Sequence, residues 1–215
     1  MDTKILAGKK IAVIVENKFI YEEIEAYRTA FTKMGAEVDF VSRIYYGDYK
    51  PQKTTFYSDI DPLDNQPWET PHTLDVSKDI STIKVSDYAI IIMSANYTSV
   101  RLRWNDFDFK NSQNEFDVRD YIRSAPLPKF FADAMTNNMI IKGALCHGLW
   151  ILSPFPELLK GRKVTCHPVV MADIFNCGAD IQMAKNGVVI DNDLVTGFSK
   201  HEVHEFILAM IEQLK

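Results

Sequence analysis

A cysteine and a histidine stand side by side between small residues in the segment Met139–Leu152, MIIKGALCHGLWIL. Ala144 lies two positions before Cys146, and Gly148 lies two positions after it. Small residues at these positions are typical of a sharp turn from a strand into a helix, because a bulky side chain there would clash with the neighbouring backbone. The pattern therefore predicts that Cys146 is a nucleophile at the tip of such a turn.

The turn would place the Cys146 sulfur at a helix N-terminus, where unpaired N–H groups and the helix dipole favour a thiolate. It would also direct the His147 N–H toward an oxyanion formed on a carbonyl that the sulfur attacks. The alternative is a buried and unreactive cysteine, because free cysteines are among the most buried residues. The flanking small residues favour the reactive cysteine.

The elements that must position this turn indicate an α/β protein with a parallel sheet. The β-branched run Lys10–Glu16 predicts a strand buried on both faces, and apolar residues at helical spacing from about Ile20 to Gly35 predict the next helix. Ala36–Ser42 predicts a second strand and completes a βαβ unit. Further strands are expected at Thr73–Val76, Val85–Met93, Met139–Ile141 and Lys163–Cys166 and in a hairpin at Val188–Thr196, and further helices at Lys129–Thr136, Val169–Asn176 and Glu202–Leu214.

Length and composition predict one domain, residues 1–215, with two irregular excursions at about 43–80 and 101–128. A chain of 215 residues, 47% of them hydrophobic, is long enough for a sizeable core. In the second excursion, two readings stay open. It is either a solvated surface insertion or a lid that faces a ligand with Arg101, Arg103 and Trp104.

Charge and cysteine content limit the expected partners and compartment. The formal net charge of −5 argues against nucleic acid or an acidic membrane as the main partner. We recognise no signal peptide and no apolar run of membrane-spanning length. Because three cysteines make no even disulfide set, we expect reduced thiols and a cytoplasmic location. No Cys/His spacing resembles a zinc site, so no metal or other cofactor is expected.

Several segments together resemble the ThiJ/PfpI superfamily, also called the DJ-one family, which is related to class I glutamine amidotransferases. They are Ile11–Glu16 with Phe19 and Glu22-Glu23, KMGAEV at Lys33–Val38, GALCHG at Gly143–Gly148, LLKGRKVTCHP at Leu158–Pro168, NCGAD at Asn176–Asp180 and VVIDNDLVT at Val188–Thr196. The resemblance implies a flavodoxin-like three-layer αβα sandwich with a mainly parallel central sheet. It places the nucleophile elbow at the carboxyl end of the central strand. It also implies a homo-oligomer, most commonly a dimer.

Carried over by position, the resemblance makes Cys146 the reactive cysteine and Glu23 the carboxylate beside it, with Glu22 and Glu25 as close alternatives. Two adjacent negative charges repel, so one of the two groups should keep its proton. We therefore expect a protonated Glu23 that donates a hydrogen bond to the Cys146 thiolate.

His147 or His167 is expected to move the proton at Cys146. Adjacent residues on a helix do not face each other, so adjacency alone does not pair His147 with the sulfur. In similar hydrolytic family members, the histidine reaches the sulfur through the geometry of the turn, and His167 matches a position near the cysteine in other members. The remaining histidines are expected on the surface: His72, His201 and His204.

The expected oxyanion site departs from the family pattern. The family usually has Pro-Gly-Gly after the fourth main strand, where this chain has Ser94-Ala95-Asn96. Asparagine tolerates left-handed backbone geometry better than most residues, so the turn is compatible with Asn96. We expect N–H groups near Ala95, Asn96 and His147 to hold an oxyanion, with Gly148 completing the binding set.

These residues predict a cysteine-dependent enzyme that acts on a small molecule or a peptide. Its reaction would be that of an intracellular protease or amidase, or glyoxalase-like and deglycase-like chemistry. The alternative is a redox sensor or chaperone-like protein, in which Cys146 stops at a sulfinate held by Glu23. A binding module with a vestigial cysteine is a third reading.

Overall fold

The computed structural model describes residues 4–44, 54–60, 69–105 and 117–214. The strands of this part are β1 (Lys10–Ile14), β2 (Glu37–Ser42), β3 (Thr55–Tyr57), β4 (Thr73–Asp75), β5 (Lys78–Asp79), β6 (Ile90–Met93), β7 (Ile141–Leu145), β8 (Lys163–Val164), β9 (Asp180–Ile181), β10 (Val188–Asp191) and β11 (Leu194–Gly197). The helices are α1 (Tyr21–Lys33), α2 (Thr98–Arg101), α3 (Val118–Arg123), α4 (Pro126–Met135), α5 (Pro168–Asn176) and α6 (Val203–Gln213). Short 3₁₀ turns lie at Ile80–Thr82, Val85–Asp87, Gly148–Leu152, Pro156–Leu158 and Lys200–Glu202.

Seven strands form the main sheet, in the order β10-β11-β7-β6-β1-β2-β5. All neighbouring pairs are parallel except β10 and β11, which form an antiparallel hairpin. Parallel strands have their carboxyl ends at the same edge of a sheet, which is where open α/β sheets bind ligands. The segments that follow β1, β6 and β7 therefore meet at one edge.

The side chains of β1 alternate between two buried clusters, one on each face of the sheet. Ile11 and Val13 belong to the cluster on the face covered by α1 and α6. Ala12 and Ile14 belong to the cluster on the opposite face, which α4 and α5 cover. The sheet thus lies between two helical layers, and the predicted flavodoxin-like αβα sandwich is confirmed.

The predicted βαβ opening, the closing helix and the hairpin at the C-terminal end of the sheet are present. The hairpin turns at Asn192, whose φ is 53°. In the first predicted excursion, β3 and β4 form a separate antiparallel pair.

Residues 45–53, 61–68 and 106–116 of the two excursions lie outside the described residues, and the single-domain organisation stays a prediction. None of α1–α6, the helices of the described chain, has the length and apolar character needed to cross a membrane.

Two strands begin later than predicted. The strand before Cys146 starts at Ile141 and runs through the small residues, and Met139, which we expected in it, is 81% exposed. Residues Val85–Asp87 form a 3₁₀ turn, because the Asp87 carboxylate accepts the N–H of the residue that precedes the turn. The following strand therefore begins only at Ile90.

Candidate active site

Cys146 lies directly after β7, at the carboxyl edge of the sheet. Its N–H donates to the Gly197 carbonyl at 2.8 Å, and its own carbonyl accepts the His167 N–H at 3.1 Å. Its φ is 60°, in the left-handed region, which costs a non-glycine residue about 1 to 2 kcal/mol. The two backbone hydrogen bonds hold this conformation, and the Cys146 side chain lines a cleft.

The small residues around Cys146 are required by a close backbone approach. A Cβ atom added to Gly148 would lie 2.9 Å from the Met93 carbonyl oxygen and 3.3 Å from the Ala144 Cβ. Real Cβ atoms almost never approach a backbone oxygen that closely. A larger residue at position 148 would therefore push the turn away from β6, as the sequence pattern predicted.

The Cys146 sulfur and the His147 ring form a direct pair. The distance from Cys146 Sγ to His147 Nδ1 is 2.9 Å. The left-handed turn at Cys146, rather than a helix, brings these adjacent side chains together. In the neutral pair, the thiol donates to Nδ1 and the ring proton is on Nε2.

Burial sets the protonation of this pair. Cys146 is 6% exposed, and burial raises the pKa of its thiol to about 12, although the N–H groups of Asn96 and His147 lower it. Burial, together with the neighbouring His167, lowers the pKa of His147 to about 4. The resting pair is therefore a neutral thiol and a neutral imidazole, which corrects the expected thiolate.

The element after Cys146 explains part of this correction. Gly148–Leu152 is a five-residue 3₁₀ turn instead of the α-helix that we expected. Such a short turn aligns few peptide dipoles, so it offers the sulfur little of the field of an α-helix N-terminus. Desolvation therefore outweighs the dipole at Cys146.

We expect the alkylation of Cys146 by iodoacetamide to accelerate about tenfold per pH unit between pH 7 and pH 9. The reagent attacks the thiolate, whose fraction rises about tenfold per unit below the thiol pKa. Peptide mass analysis after timed quenching measures this rate, and the half-buried Cys177 in the same digest provides the comparison thiol. A rate that stays level from pH 5 to pH 8 would indicate a preformed thiolate and contradict the neutral pair.

Glu23 lies in the first turn of α1 and is 1% exposed. Both of its carboxyl oxygens accept the Ala95 N–H at 3.0 Å, and Oε1 also accepts the Tyr27 hydroxyl at 2.8 Å. Burial raises the Glu23 pKa to about 8 against the lowering effect of these two donors, so the carboxyl is protonated at pH 7. Oε2, which accepts fewer hydrogen bonds, is the oxygen with room for the proton.

The predicted hydrogen bond from Glu23 to Cys146 is not made in this geometry, within the part of the chain that the structure describes. Burial is the largest cause of the raised pKa of the Cys146 thiol. A negative charge on the Glu23 carboxylate raises this pKa further by electrostatic repulsion. Of the two alternative carboxylates, Glu22 lines the cleft, and Glu25 pairs with Arg28 at 2.6 Å.

The backbone donors near the sulfur are those of Asn96 and His147. The Asn96 φ is 62°, and the N–H groups of Asn96 and His147 lower the pKa of the Cys146 thiol. The Ala95 N–H is committed to Glu23, so it is not free to hold an oxyanion. Gly148 lies beside these donors, and its missing side chain permits the close contact with β6. The structure thus brings two of the expected oxyanion donors to the sulfur.

The His167 ring stacks on the His147 ring, with centroids 4.7 Å apart and planes 17° apart. His167 is the N-cap of α5, where its Nδ1 accepts the Val169 N–H at 3.2 Å. Its ring proton is therefore on Nε2. Because two stacked imidazoles disfavour a second positive charge, His167 helps to keep His147 neutral.

A cleft of about 1000 Å³ opens onto Cys146. The Tyr21 and His72 rings stack in its wall at 3.7 Å with an angle of 11°. Sequence reasoning gave the exposed His72 and His201 no role, and no local pattern signals one, because distant segments build the wall. Four of the five histidines of the chain line the cleft: His72, His147, His167 and His201. Within the described residues, no three metal-ligating side chains converge on one point.

The three residues of the lid interpretation do not line this cleft. The Arg103 guanidinium lies 5.4 Å from the Trp150 ring, and the Arg43 guanidinium lies 4.0 Å from the Trp104 ring. Arg101 is exposed at the end of α2. Arg103 and Trp104 thus contact other side chains of the described chain, and the lid interpretation stays a prediction.

The fold and the site define an α/β sandwich protein with a cysteine–histidine pair at the turn after its central strand. The sequence model of the DJ-1/PfpI family matches residues 118–213, which include Cys146, His147 and His167. The match to the DJ-1/PfpI family model thus covers the C-terminal part of the chain, including the cysteine–histidine pair.

Two curated relatives match only part of the chain. A Bacillus subtilis protein named "Putative cysteine protease YraA" is 30% identical over 96 residues, which are 45% of this chain and 55% of the relative. Staphylococcus aureus "Uncharacterized protein SAV1875" is 34% identical over 85 residues, 40% of this chain and 48% of the relative. The chain therefore spans about half the length of the curated relatives it matches.

Solved structures match over nearly the whole chain. Schizosaccharomyces pombe DJ-1 has a TM-score of 0.68 at 15% identity, covering 96% of this chain and 92% of that one. A ThiJ/PfpI family protein from Pseudomonas syringae has a TM-score of 0.68 at 18% identity, covering 100% and 72%. At these identities the likeness shows the fold alone.

Proposed function

We propose that the protein is a cysteine-dependent hydrolase of amide or peptide bonds. The observation that carries this proposal is the 2.9 Å distance between Cys146 Sγ and His147 Nδ1. A nucleophile within hydrogen-bonding distance of a general base is the arrangement that covalent acyl transfer requires. The name of the Bacillus subtilis relative supports the same class.

In the first half of the proposed reaction, the Cys146 thiol passes its proton to His147 Nδ1 as the sulfur attacks the substrate carbonyl carbon. The carbonyl oxygen becomes an oxyanion, and the N–H groups of Asn96 and His147 donate to it. The resulting imidazolium is disfavoured by burial and by His167, so it readily gives its proton to the leaving amine. The amine departs, and an acyl thioester remains on Cys146.

In the second half, water hydrolyses the thioester. His147 Nδ1 takes one proton from the water as its oxygen attacks the acyl carbon, and the same two N–H groups stabilise the second oxyanion. Collapse of this intermediate breaks the carbon–sulfur bond, and the proton on His147 returns to the sulfur. The products are a carboxylic acid and the starting thiol.

The size of the cleft supports a peptide or a comparably large amide as the substrate. A volume of about 1000 Å³ is at the upper end of the range for small-molecule sites. A dicarbonyl of two or three carbons would leave most of this space unfilled. The raised pKa of the Cys146 thiol also argues against the redox-sensor alternative, because peroxide reacts with a thiolate.

A panel of peptide p-nitroanilides, tested beside glyoxal and methylglyoxal, distinguishes these chemistries. We expect release of nitroaniline and a transient mass increase on Cys146 equal to the acyl group. Conversion of the dicarbonyls without nitroaniline release would assign glyoxalase-like chemistry instead. If neither reaction occurs and mild peroxide adds two oxygens to Cys146, the sensor reading replaces the hydrolase.

The proposal includes a cytoplasmic homodimer. Cys146, Cys166 and Cys177 are all free, which fits a reducing compartment. The superfamily resemblance supports self-association and a small-molecule or peptide substrate, and the net charge of −5 argues against a nucleic acid or membrane partner.

A further inference from the structure

Lys18, Asp59 and Asn96 form a polar cluster beside Cys146, which we call the Asp59 clasp. Asp59 Oδ1 accepts Lys18 Nζ at 2.7 Å, and Asp59 Oδ2 accepts Asn96 Nδ2 at 2.9 Å. Asn96 Nδ2 also donates to the Lys18 carbonyl at 2.8 Å. The clasp therefore joins the segments that follow β1, β3 and β6, which are far apart in the sequence.

Two residues of the clasp have left-handed backbones. The φ of Lys18 is 72°, and the φ of Asn96 is 62°. Side-chain-bearing residues remain in this region only when their surroundings hold them there. In the described part of the chain, the side-chain hydrogen bonds of Asn96 run from its amide to the Lys18 carbonyl and to Asp59 Oδ2. Its backbone conformation therefore depends on what that amide binds.

Asp59 is well placed to be such a support because its own backbone is anchored. The Asp59 N–H donates to the Phe19 carbonyl at 2.8 Å, and the Lys18 N–H donates to the Tyr57 carbonyl at 2.8 Å. The Lys18 ammonium ion also balances the Asp59 charge. The carboxylate is thus held in place without adding a net negative charge beside Cys146.

We propose that Asp59 is a positioning residue for the Cys146 site, because its carboxylate holds Asn96 in the left-handed conformation that directs the Asn96 N–H to the sulfur. Its effect on turnover rests on the proposed hydrolase function. Its effect on the thiolate does not, because the Asn96 N–H stabilises a negative charge on sulfur whether or not a substrate is present. Thiol reactivity therefore tests the clasp separately from the hydrolase.

The test is the iodoacetamide alkylation rate of Cys146 at pH 8, measured by peptide mass in four proteins: wild type, Asp59→Asn, Asn96→Gly, and the double variant. The amide in Asp59→Asn has one acceptor oxygen, which turns toward Lys18 because an NH2 group there would be repelled by the ammonium ion, so the hydrogen bond to Asn96 Nδ2 is lost. We expect this change to slow alkylation about three- to tenfold, because the thiolate loses stabilisation of the size of about one ordinary hydrogen bond. In the Asn96→Gly background the same change should slow it less than twofold, because glycine adopts positive φ without a side-chain anchor.

Asp75→Asn is the matched control. Asp75 lies in the same pair of strands as the clasp segment, and its carboxylate accepts the Thr55 hydroxyl at 2.7 Å. Cys146 in this variant should be alkylated at the wild-type rate. The proposal is overturned if Asp59→Asn alkylates at the wild-type rate, or if it slows alkylation equally in both backgrounds, which would indicate a general structural role.

A second pair of variants tests the clasp if Asp59→Asn does not fold. Asn96→Ala lacks the side-chain amide, and its Cβ destabilises the positive φ at this position. Asn96→Gly also lacks the amide, but glycine adopts a positive φ without this destabilisation. We expect Cys146 to alkylate at least about threefold faster in Asn96→Gly than in Asn96→Ala. Equal rates in the two variants would show that the backbone at this position is held by something other than the anchor, and would refute the proposal.

Discussion

Replacing Cys146 by alanine is expected to lower kcat/KM for amide hydrolysis about a thousandfold or more. The variant loses the atom that attacks the carbonyl, so only binding and the N–H donors of Asn96 and His147 remain. Asn96 and His147 keep their backbone amides, so some rate above that of water should persist. Initial rates on the best p-nitroanilide substrate measure the loss.

Cys146 and His147 should act as one unit in this experiment. His147→Asn removes the base and keeps the backbone N–H, and it should cost about a hundred- to ten-thousandfold. The double variant should be no slower than Cys146→Ala alone, since removing the second member of a broken pair has no further effect. Cys177→Ala, at a half-buried thiol outside the cleft, is the control and should retain wild-type kinetics. Wild-type turnover in Cys146→Ala would end the hydrolase proposal.

Glu23→Gln is expected to stabilise the protein by about 3 kcal/mol at pH 7. The Glu23 pKa is about 8 in the folded protein and starts from an ordinary value of 4.5. Between these pH values the unfolded chain ionises Glu23 while the folded protein keeps it protonated, so stability falls by about 1.4 kcal/mol per pH unit. Glutamine is neutral in both states, and its oxygen can accept from Ala95 and Tyr27 as Glu23 does.

The sign of this effect fixes the pH window of the measurement. Below pH 4.5 both states of wild-type Glu23 are protonated, so the two proteins should be equally stable. The advantage of Glu23→Gln should grow from pH 5 to pH 8 and then level off. Urea unfolding at several pH values measures it, with Glu22→Gln in the same helical turn as the control. An advantage that does not change with pH would contradict a buried, protonated Glu23.

Several features of this protein follow from local sequence. The unbroken apolar run at β1 requires a strand buried on both faces, and the helical spacing after Ile20 requires an amphipathic helix. The small residues around Cys146 are dictated by a contact with β6 that would exclude any Cβ at Gly148. These predictions succeeded because each depends on steric or periodic properties of a few neighbouring residues.

Other features depend on residues that are distant along the chain. Lys142 is fully buried in β7, and its ammonium group is paired with Asp193 on the hairpin, a contact that the apolar reading of this strand did not include. Asp59 reaches Asn96 across 37 positions from a region without periodicity. Such pairs exist only after the sheet has brought the strand ends together.

The protonation of the candidate site was also decided by the tertiary structure. From sequence, Cys146 next to a helix start predicts a thiolate, and the resemblance makes Glu23 a protonated donor to that thiolate. In the folded chain both groups are almost fully buried, and desolvation keeps both protonated. The sequence determined which chemical groups are present and the turn that carries them. The packing around them determined their charge, because the free energy of an ion depends on the surrounding medium more than on its neighbours along the chain.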